Sequence, residues 1–234
     1  MTLIKGGMLD RRGFMKTTAA GALLATLPMG GAMAAPKRGG HLRVAKGHGQ
    51  TTDTLNPGQW SNGYMLALGF AVHGRLTEVA VDGTLVPELA ESWEASPDAT
   101  EWRFKIRQGV TFHDGKPLTV EDVIASINHH RGEGSTSAAG PLVEPVTDLT
   151  ADGNDTVVFK LSSGNADFPF ILSDYHLTIH PATTDGMDWQ SGNGCGSYVL
   201  KDFQPGVISS FERNPNHWRD DVAWIDTCEM LSIV

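Results

Sequence analysis

The chain has 234 residues, of which 40% are apolar and 19% are charged, a composition typical of a folded globular protein. Its formal net charge of -9 argues against a nucleic-acid partner, because such proteins carry a basic footprint. The two cysteines, Cys195 and Cys228, leave two alternatives open: one disulfide bridge, or two unpaired side chains in the core. No histidine lies at ligand spacing from them, so they do not indicate a zinc site.

The N-terminus has the pattern of an export signal. A basic patch at residues 10–16, "DRRGFMK", precedes an apolar run at residues 17–29. This run is too short for a membrane-spanning helix, which needs about 20 residues. Small residues follow, and Ala32-Met33-Ala34 fits the A-x-A pattern, which predicts cleavage after Ala34.

The basic patch resembles the twin-arginine export motif, because Arg11 and Arg12 are followed by Phe14 and Lys16. We therefore expect residues 1–34 to be a twin-arginine export signal, with the twin-arginine translocase as a partner during export. A general secretory signal that carries two arginines is the alternative. No cysteine lies near the cleavage point, so the mature protein is expected to be periplasmic, soluble and not lipid-anchored.

The residues before position 108 carry clear helix and strand patterns. They predict a strand at 41–47, a turn at 54–58, a buried helix at 62–73, a hairpin around Asp82-Gly83, and a strand at 101–107 paired with residues 91–96. In the last of these strands Trp102, Phe104 and Ile106 alternate with basic residues, which is typical of a half-buried strand.

The stretch "GVTFHDGKPLTVEDV" places His113 beside Asp114, and such a pair can act as a general base with an orienting carboxylate. A structural interpretation accounts for the same residues. Asp114-Gly115 predicts a turn, and Thr119 with Asp122 predicts a capping box for an amphipathic helix at 120–130. The structural interpretation is favoured, and the catalytic one is kept as an alternative.

The second half of the chain is predicted to be rich in hairpins. Its expected elements are a flexible loop at 131–141, a hairpin at 146–161, a short helix at 165–172, a short strand at 176–180, a glycine-rich loop at 191–197, a hairpin at 198–213 and a strand at 224–234. Because the last strand reaches the end of the sequence, we expect it to leave an open sheet edge.

Three motifs in this half invite a chemical interpretation. His129-His130 could ligate a metal, but neighbouring helical side chains diverge, so a favourable positive charge at the helix end is preferred. The loop "SGNGCGS" lacks the Lys-Ser/Thr ending of a phosphate-binding loop. A Cys195 nucleophile has no identifiable base. No catalytic residue, metal or cofactor is therefore expected.

Four segments together resemble one known family. They are "GRLTEVAVDGTLVPELAESWEAS" from Gly74, "WRFKIRQGVTFHDGKPLTVEDVIASI" from Trp102, "GCGSYVLKDFQPG" from Gly194 and "FERNPNHW" from Phe211. In this order and spacing they are similar to the dipeptide/oligopeptide-binding family of periplasmic solute-binding proteins of ABC importers, also called extracellular solute-binding protein family 5. The chain departs from the family pattern in the glycine loop, where Cys195 and Ser197 replace Thr and Pro. It departs again at His217, which replaces Tyr.

The resemblance implies the fold class and the domain organisation. The fold is expected to be α/β, the N-terminal lobe portion of a two-lobed periplasmic binding protein with mixed β-sheets and flanking helices. Residues 35–234 would form the N-terminal part of the solute-binding domain, truncated before lobe II, because family members are about twice as long.

The resemblance also implies a function that involves no enzymatic step. The expected protein is a monomeric, extracytoplasmic substrate-binding component that captures a peptide between two lobes and delivers it to ABC permease subunits in the membrane. Nickel, haem or an oligosaccharide are alternative ligands within the family. A secreted hydrolase that uses His113 and Asp114, or a non-functional truncated fragment, are the alternatives outside it.

The resemblance places the substrate-binding residues just after the first "L-x-P" turn, in "QWSNGY" at residues 59–64. Ser61, Asn62 and Gly63 are expected to contact the ligand through polar or backbone groups, and Tyr64 to form a wall. Trp60 and Tyr64 are accordingly treated as exceptions among aromatic residues otherwise assigned to the core. Capping of a helix by Ser61 or Asn62 is the alternative. The loop at 132–140 is expected to border the cleft.

Overall fold

The computed structural model describes residues 37–233, so the predicted export signal at residues 1–34 and the start of the mature domain at residue 35 lie outside the described residues. The elements in chain order are β1 (His41–Gly47), α1 (Gly63–Val72), β2 (Thr77–Val79), β3 (Leu85–Pro87), β4 (Ala90–Ala95), β5 (Glu101–Ile106), α2 (Val120–His129), α3 (Gly140–Val143), β6 (Val146–Asp152), β7 (Thr156–Leu161), α4 (Phe168–Ile171), β8 (Ala182–Thr183), β9 (Gly186–Met187), β10 (Tyr198–Gln204), β11 (Ile208–Arg213) and β12 (Thr227–Ile233).

The first four-stranded sheet is mixed and has the order β1-β12-β11-β10. β1 and β12 are parallel, whereas β10, β11 and β12 are joined by antiparallel pairing. Helix α1 packs on this sheet, and its apolar residues share a core cluster with Phe211 and Met230. The final strand lies between two neighbours, so the expectation that it leaves an open sheet edge is wrong.

The second four-stranded sheet is antiparallel and has the order β4-β5-β7-β6. Trp102, Phe104 and Ile106 of β5 are buried, which confirms the alternation expected from the sequence. Aromatic rings fill the space beneath this sheet, because the Phe104 ring lies 5.4 Å from that of Phe159 and 6.4 Å from that of Phe168. Helix α2 covers the same sheet and completes the larger core cluster.

Most of the predicted elements are confirmed, including the hairpins, the glycine-rich loop and the capping box of α2. The backbone N–H of Thr119 donates to Asp122 Oδ2 at 2.8 Å. The predicted strand at 176–180 is wrong. Ile179 forms only an isolated bridge with Gly74, and the backbone N–H of His180 donates to Ser126 Oγ at 2.9 Å. This buried segment is therefore held partly by side chains, as buried backbone without sheet partners requires.

Among residues 37–233 the longest helices are α1 and α2, and none of the helices is long and apolar enough to cross a membrane. The described chain consists of two four-stranded sheets and two two-stranded sheets, β2-β3 and β8-β9, with short helices packed on the larger sheets. This agrees with the α/β class expected from the sequence.

Replacing Phe104 with Ala is expected to lower the free energy of unfolding by about 3–5 kcal/mol, because the substitution leaves a cavity among packed rings. Chemical denaturation of the wild-type and variant chains measures this loss. Phe170→Ala is the matched control, since 46% of the Phe170 residue is exposed and its loss should stay below about 1 kcal/mol. Equal losses for the two variants would contradict the assigned core.

Candidate functional site

The segment predicted to contact the ligand begins at one edge of the first sheet. β1 and β12 run parallel, and their carboxyl ends meet where Gly47 pairs with Ile233. The chain leaves β1 at this edge and passes through residues 48–62 before entering α1. In open α/β sheets, ligands bind outside the carboxyl ends of parallel strands. The predicted segment therefore lies in the connection where such sites form.

Asn62 caps helix α1, as the capping alternative predicted. Its Oδ1 accepts hydrogen bonds from the backbone N–H groups of Tyr64 at 2.9 Å and Met65 at 3.0 Å. Its Nδ2 donates to Asp53 Oδ1 at 2.7 Å. The amide thus satisfies two otherwise unpaired helix donors and fastens the connection to the helix. Asp53 was not identified from the sequence, because a capping partner nine residues away leaves no local pattern.

Tyr64 is fully buried, and its hydroxyl group is held between β11 and β12. The hydroxyl donates to the carbonyl oxygen of Met230 at 2.8 Å, so it accepts from Ser209 Oγ, also at 2.8 Å. Burial raises the pKa of Tyr64. Trp60 is likewise only 1% exposed, so the expectation that these two aromatic residues depart from the core is wrong. Although Trp60 and Tyr64 follow a turn, both rings pack in the core beneath the first sheet.

Two donors at the start of α1 remain available. Ser61 is exposed, and among residues 37–233 the backbone N–H of Gly63 has no hydrogen-bond partner. Lys46, at the end of β1, lies beside them, because a Cβ atom on Gly63 would be 3.6 Å from Lys46 Nζ. The assignment of Ser61, Asn62, Gly63 and Tyr64 to ligand binding stays a prediction, with Ser61 and Gly63 as its accessible members.

His176 anchors the backbone immediately before Ser61. Its Nε2 lies 2.9 Å from the carbonyl oxygen of Trp60, and its Nδ1 lies 2.7 Å from Asp174 Oδ1. Burial raises the pKa of Asp174, but hydrogen bonds from His176 outweigh burial and leave that pKa below its usual value. Trp60 Nε1 also donates to Thr54 O at 3.0 Å. The contact of His176 with the Trp60 carbonyl oxygen was not predicted from the sequence, because residues 174–176 are distant along the chain from Trp60.

The loop at 132–140 lies against the same connection. The backbone N–H of Ala138 donates to Gly58 O at 2.9 Å, and His129 Nε2 lies 2.8 Å from Asn56 Oδ1. The loop therefore flanks the residues just before the predicted ligand segment. Its role as a border of the cleft stays a prediction.

The preferred interpretation of His129-His130, a favourable positive charge at the end of α2, is wrong. Burial lowers the pKa of His129 and lowers that of His130 to about 3, so both rings are neutral at physiological pH. His130 Nδ1 instead lies 2.6 Å from Ser137 Oγ. No group of His, Cys, Asp and Glu side chains within residues 37–233 is arranged to hold a metal ion.

His113 is committed to the backbone of the glycine-rich loop. Its Nδ1 accepts from the N–H of Gly194 at 3.3 Å, so its Nε2 carries the proton and donates to the carbonyl oxygen of Gly196 at 3.1 Å. Burial lowers the pKa of His113, which favours this neutral form. Asp114 forms an ion pair with Lys116, at 3.3 Å, instead of orienting the ring. This arrangement does not favour the hydrolase alternative.

The glycines of this loop allow a close backbone approach. A Cβ atom on Gly194 would lie 2.0 Å from the carbonyl oxygen of Val72, and one on Gly196 would lie 2.5 Å from the carbonyl carbon of Val72. Cys195 between them is buried, and burial raises the pKa of its thiol to about 12, which removes it as a nucleophile. Cys195 and Cys228 are both free, so the unpaired alternative is confirmed.

Several histidines lie in one buried region. The rings of His73 and His180 are in contact, with centroids 4.0 Å apart and planes tilted by 33°. Burial lowers the pKa of His180 to about 3 and holds that of His73 well below its usual value. Three ring nitrogens of the described residues are buried without a hydrogen-bond partner: His73 Nδ1, His130 Nε2 and His180 Nδ1. Protonating any of these rings would place a charge in the core, which is costly.

A comparison with known protein families matches most of the described chain. Residues 84–233 match the family described as bacterial extracellular solute-binding proteins, family 5 Middle. The probable D,D-dipeptide-binding periplasmic protein DdpA of Escherichia coli (strain K12) is 30% identical over 180 residues, which are 70% of this chain and 34% of DdpA. The nickel-binding periplasmic protein of the same organism is 26% identical, with 72% of this chain and 33% of that protein covered.

The structural comparison agrees with this assignment. The PBP AgaA of A. tumefaciens R10, solved in complex with agropinic acid, superposes with a TM-score of 0.76 at 24% identity. The superposition covers 83% of this chain and 40% of AgaA, and at this identity it shows the shared fold. The sequence matches span about a third of the length of the two curated relatives.

The buried histidines make the stability of the fold sensitive to acid. Because the native pKa values lie below the unfolded value of about 6.5, the unfolded chain takes up protons first as the pH falls. The free energy of unfolding should therefore be retained above pH 6.5. Below it, each of His73, His130 and His180 should contribute a fall approaching 1.4 kcal/mol per pH unit, until its native pKa is reached.

Denaturant unfolding at pH 7.5, 6.0 and 5.0 measures this dependence. His180→Asn should make the loss shallower than in the wild-type chain, because one proton uptake site disappears. His48→Asn is the control, since His48 is exposed just after β1 and its replacement should leave the slope unchanged. If the unfolding free energy fell with pH as steeply in His180→Asn as in the wild type, the assignment of His180 as a buried neutral ring would be contradicted.

Proposed function

The chain belongs to family 5 of the bacterial extracellular solute-binding proteins, and on this premise we propose that it is the substrate-binding component of an ABC importer. The proposed protein captures a short peptide and delivers it to permease subunits in the membrane. The ligand would be enclosed by the described lobe and a second lobe, in a hinged closure. Binding of this kind needs no covalent step.

The observation that carries the proposal is the group of donors at the carboxyl edge of β1 and β12. The N–H of Gly63 and the ammonium group of Lys46 lie together at the start of α1, and the exposed Ser61 comes two residues before Gly63 in the chain. An extended peptide presents carbonyl oxygens and a terminal carboxylate, which are acceptors for such donors. The cap by Asn62 and the contact of His176 with Trp60 O hold these donors in place before any ligand arrives.

A peptide is the proposed ligand because the relative with 30% identity is described as a dipeptide-binding protein. The nickel-binding relative, at 26% identity, makes a metal complex the candidate to test beside it. Relatives described as periplasmic support the same compartment for this chain. We also propose that the protein is exported by the twin-arginine route. The exported form is proposed to be a soluble monomer without a lipid anchor.

Ligand binding is tested by titrating the purified chain with a dipeptide and tripeptide library in a calorimeter. Ser61→Ala should weaken binding about five- to tenfold, the loss of roughly one hydrogen bond, without changing the unfolding free energy. Ser92→Ala, on an exposed position of β4, is the matched control and should bind as the wild type does.

The same titration distinguishes the alternatives. Binding of nickel with no binding of peptides would replace the peptide by a metal complex as the ligand. A chain that unfolds cooperatively and binds none of these ligands would contradict the proposal for these 234 residues. Hydrolysis of the peptides during the titration, lost in His113→Ala, would restore the hydrolase alternative.

Export is tested by replacing Arg11 and Arg12 with Lys in the bacterial host. The precursor should accumulate in the cytoplasm, because the twin-arginine translocase recognises the paired arginines. Cell fractionation and immunoblotting measure the distribution, and sequencing of the wild-type mature N-terminus should begin at Ala35. Arg38→Lys, just beyond the signal, is the control and should leave export unchanged. Normal export of the double variant would favour the general secretory route.

A further inference from the structure

A second cavity lies at the other end of helix α1 from the predicted ligand segment. Its volume is about 340 Å³, at the small end of the range for ligand pockets. Phe70 near the end of α1, Arg75, Glu88 and Trp218 are among its walls. Ser61, Asn62, Gly63 and Tyr64 do not line it. The proposed peptide contacts therefore do not account for the residues that line this cavity.

Arg75 is the charged group most enclosed by this cavity. Only 11% of its side chain is exposed, and its Nε donates to Glu88 Oε2 at 3.1 Å. Its guanidinium carbon lies 4.4 Å from the centre of the Phe70 ring. Within residues 37–233 neither terminal nitrogen of this guanidinium makes a hydrogen bond. The planar outer edge of Arg75 is thus fixed in position with its donors unused.

Trp218 and Arg219 also line the cavity. Arg107 stacks over Trp218, with its guanidinium carbon 4.1 Å from the ring centre. Arg219 lies farther from the same ring, at 5.8 Å, and donates from Nη1 to Glu78 Oε2 at 3.0 Å. Arg219 is therefore neutralised by a partner. Arg107 does not line the cavity, so of its two lining arginines within residues 37–233, Arg75 is the one whose terminal nitrogens have no hydrogen-bond partner.

Glu88 competes only weakly for Arg75. It touches the guanidinium through Nε alone, and it is one of the most enclosed carboxyl groups near the cavity, with 13% of its side chain exposed. Burial raises the pKa of Glu88 to about 7, although the adjacent Arg75 opposes this rise. A substantial fraction of Glu88 is therefore uncharged near neutral pH, and the positive charge of Arg75 is then uncompensated.

We propose that this cavity is a binding site for a small organic monocarboxylate with an apolar body, held by the outer edge of Arg75. A guanidinium group offers two parallel N–H donors that match a carboxylate, and such bidentate pairs are strong when enclosed. Phe70, Val79 and Trp218 supply apolar surface for the remainder of the ligand. The site is separate from the proposed peptide site and does not depend on it.

The probe is 3-phenylpropanoate, titrated calorimetrically into the full chain, with the uncharged 3-phenylpropanamide as the matched ligand control. The carboxylate should bind and the amide should bind at least tenfold more weakly, because only the carboxylate can pair with Arg75. Arg75→Gln should weaken carboxylate binding at least tenfold. Arg43→Gln is the protein control, since 61% of that side chain is exposed on β1.

Glu88→Gln tests the same contact in the opposite direction and does not depend on the folding of the Arg75 variant. Removing the competing carboxylate should tighten binding of 3-phenylpropanoate at pH 8. In the wild type, binding should tighten as the pH falls from 8 to 6, because Glu88 gains a proton. Glu88→Gln should flatten this dependence to the contribution of His217. His73 also lines the cavity, but burial holds its pKa well below its usual value, and Glu78 is paired with Arg219.

Three results would overturn the proposal. They are equal binding of the acid and the amide, unchanged carboxylate binding in a folded Arg75→Gln chain, and no carboxylate binding by either the wild-type or the Glu88→Gln chain. Loss of peptide binding in Ser61→Ala would leave 3-phenylpropanoate binding unchanged, so failure of the proposed function and failure of this inference are distinguishable.

Discussion

The backbone of Gly196 is the point on which the described fold depends. Its N–H donates to the carbonyl oxygen of Val72 at 2.8 Å, and its carbonyl oxygen accepts from His113 Nε2 at 3.1 Å and from Asn214 Nδ2 at 3.0 Å. The end of α1, the turn before α2, the glycine-rich loop and the turn after β11 are joined there. Three of the four segments that resemble the family meet at this single residue, and the fourth begins just after Val72, at Gly74.

This junction explains why those segments are recognisable in a sequence. A side chain at Gly194 or Gly196 would collide with the end of α1, and the neutral ring of His113 accepts from Gly194 while donating to Gly196. Cys195 fits in place of the family's threonine, because its side chain turns into the core away from the crowded backbone. The segment around His113, which first suggested catalysis, therefore has a structural role and holds the glycine-rich loop in place.

Local structure was predictable from the sequence wherever a local pattern determines it. The alternation of Trp102, Phe104 and Ile106 identified β5, and the Thr119–Asp122 pair identified the start of α2. Burial was less predictable, because it depends on elements distant in the chain. Tyr64 follows a turn, but β11 and β12 supply both partners of its hydroxyl group. His130 ends a helix, but the packing around it removes its charge.

The segment that forms the candidate site could be predicted from the sequence, but the residues that surround this segment could not. The resemblance indicated residues 59–64, and the parallel pairing of β1 with β12 gives that segment a physical reason to bind a ligand. Lys46, Asp53 and His176 complete the surroundings of the site. No local pattern identifies these three residues, because each reaches the segment only through the folded topology. The same helix α1 begins at this segment and ends at the Arg75 cavity.

The Gly196 junction also constrains when the chain can fold during synthesis. It unites groups from Val72 to Asn214, so a nascent chain cannot close it until Asn214 has emerged from the ribosome. Long-range closures of this kind cost chain entropy and form late. Until then the carbonyl oxygen of Gly196 lacks the hydrogen bond from Asn214 Nδ2. The end of α1, the glycine-rich loop and the turn after β11 therefore become ordered together.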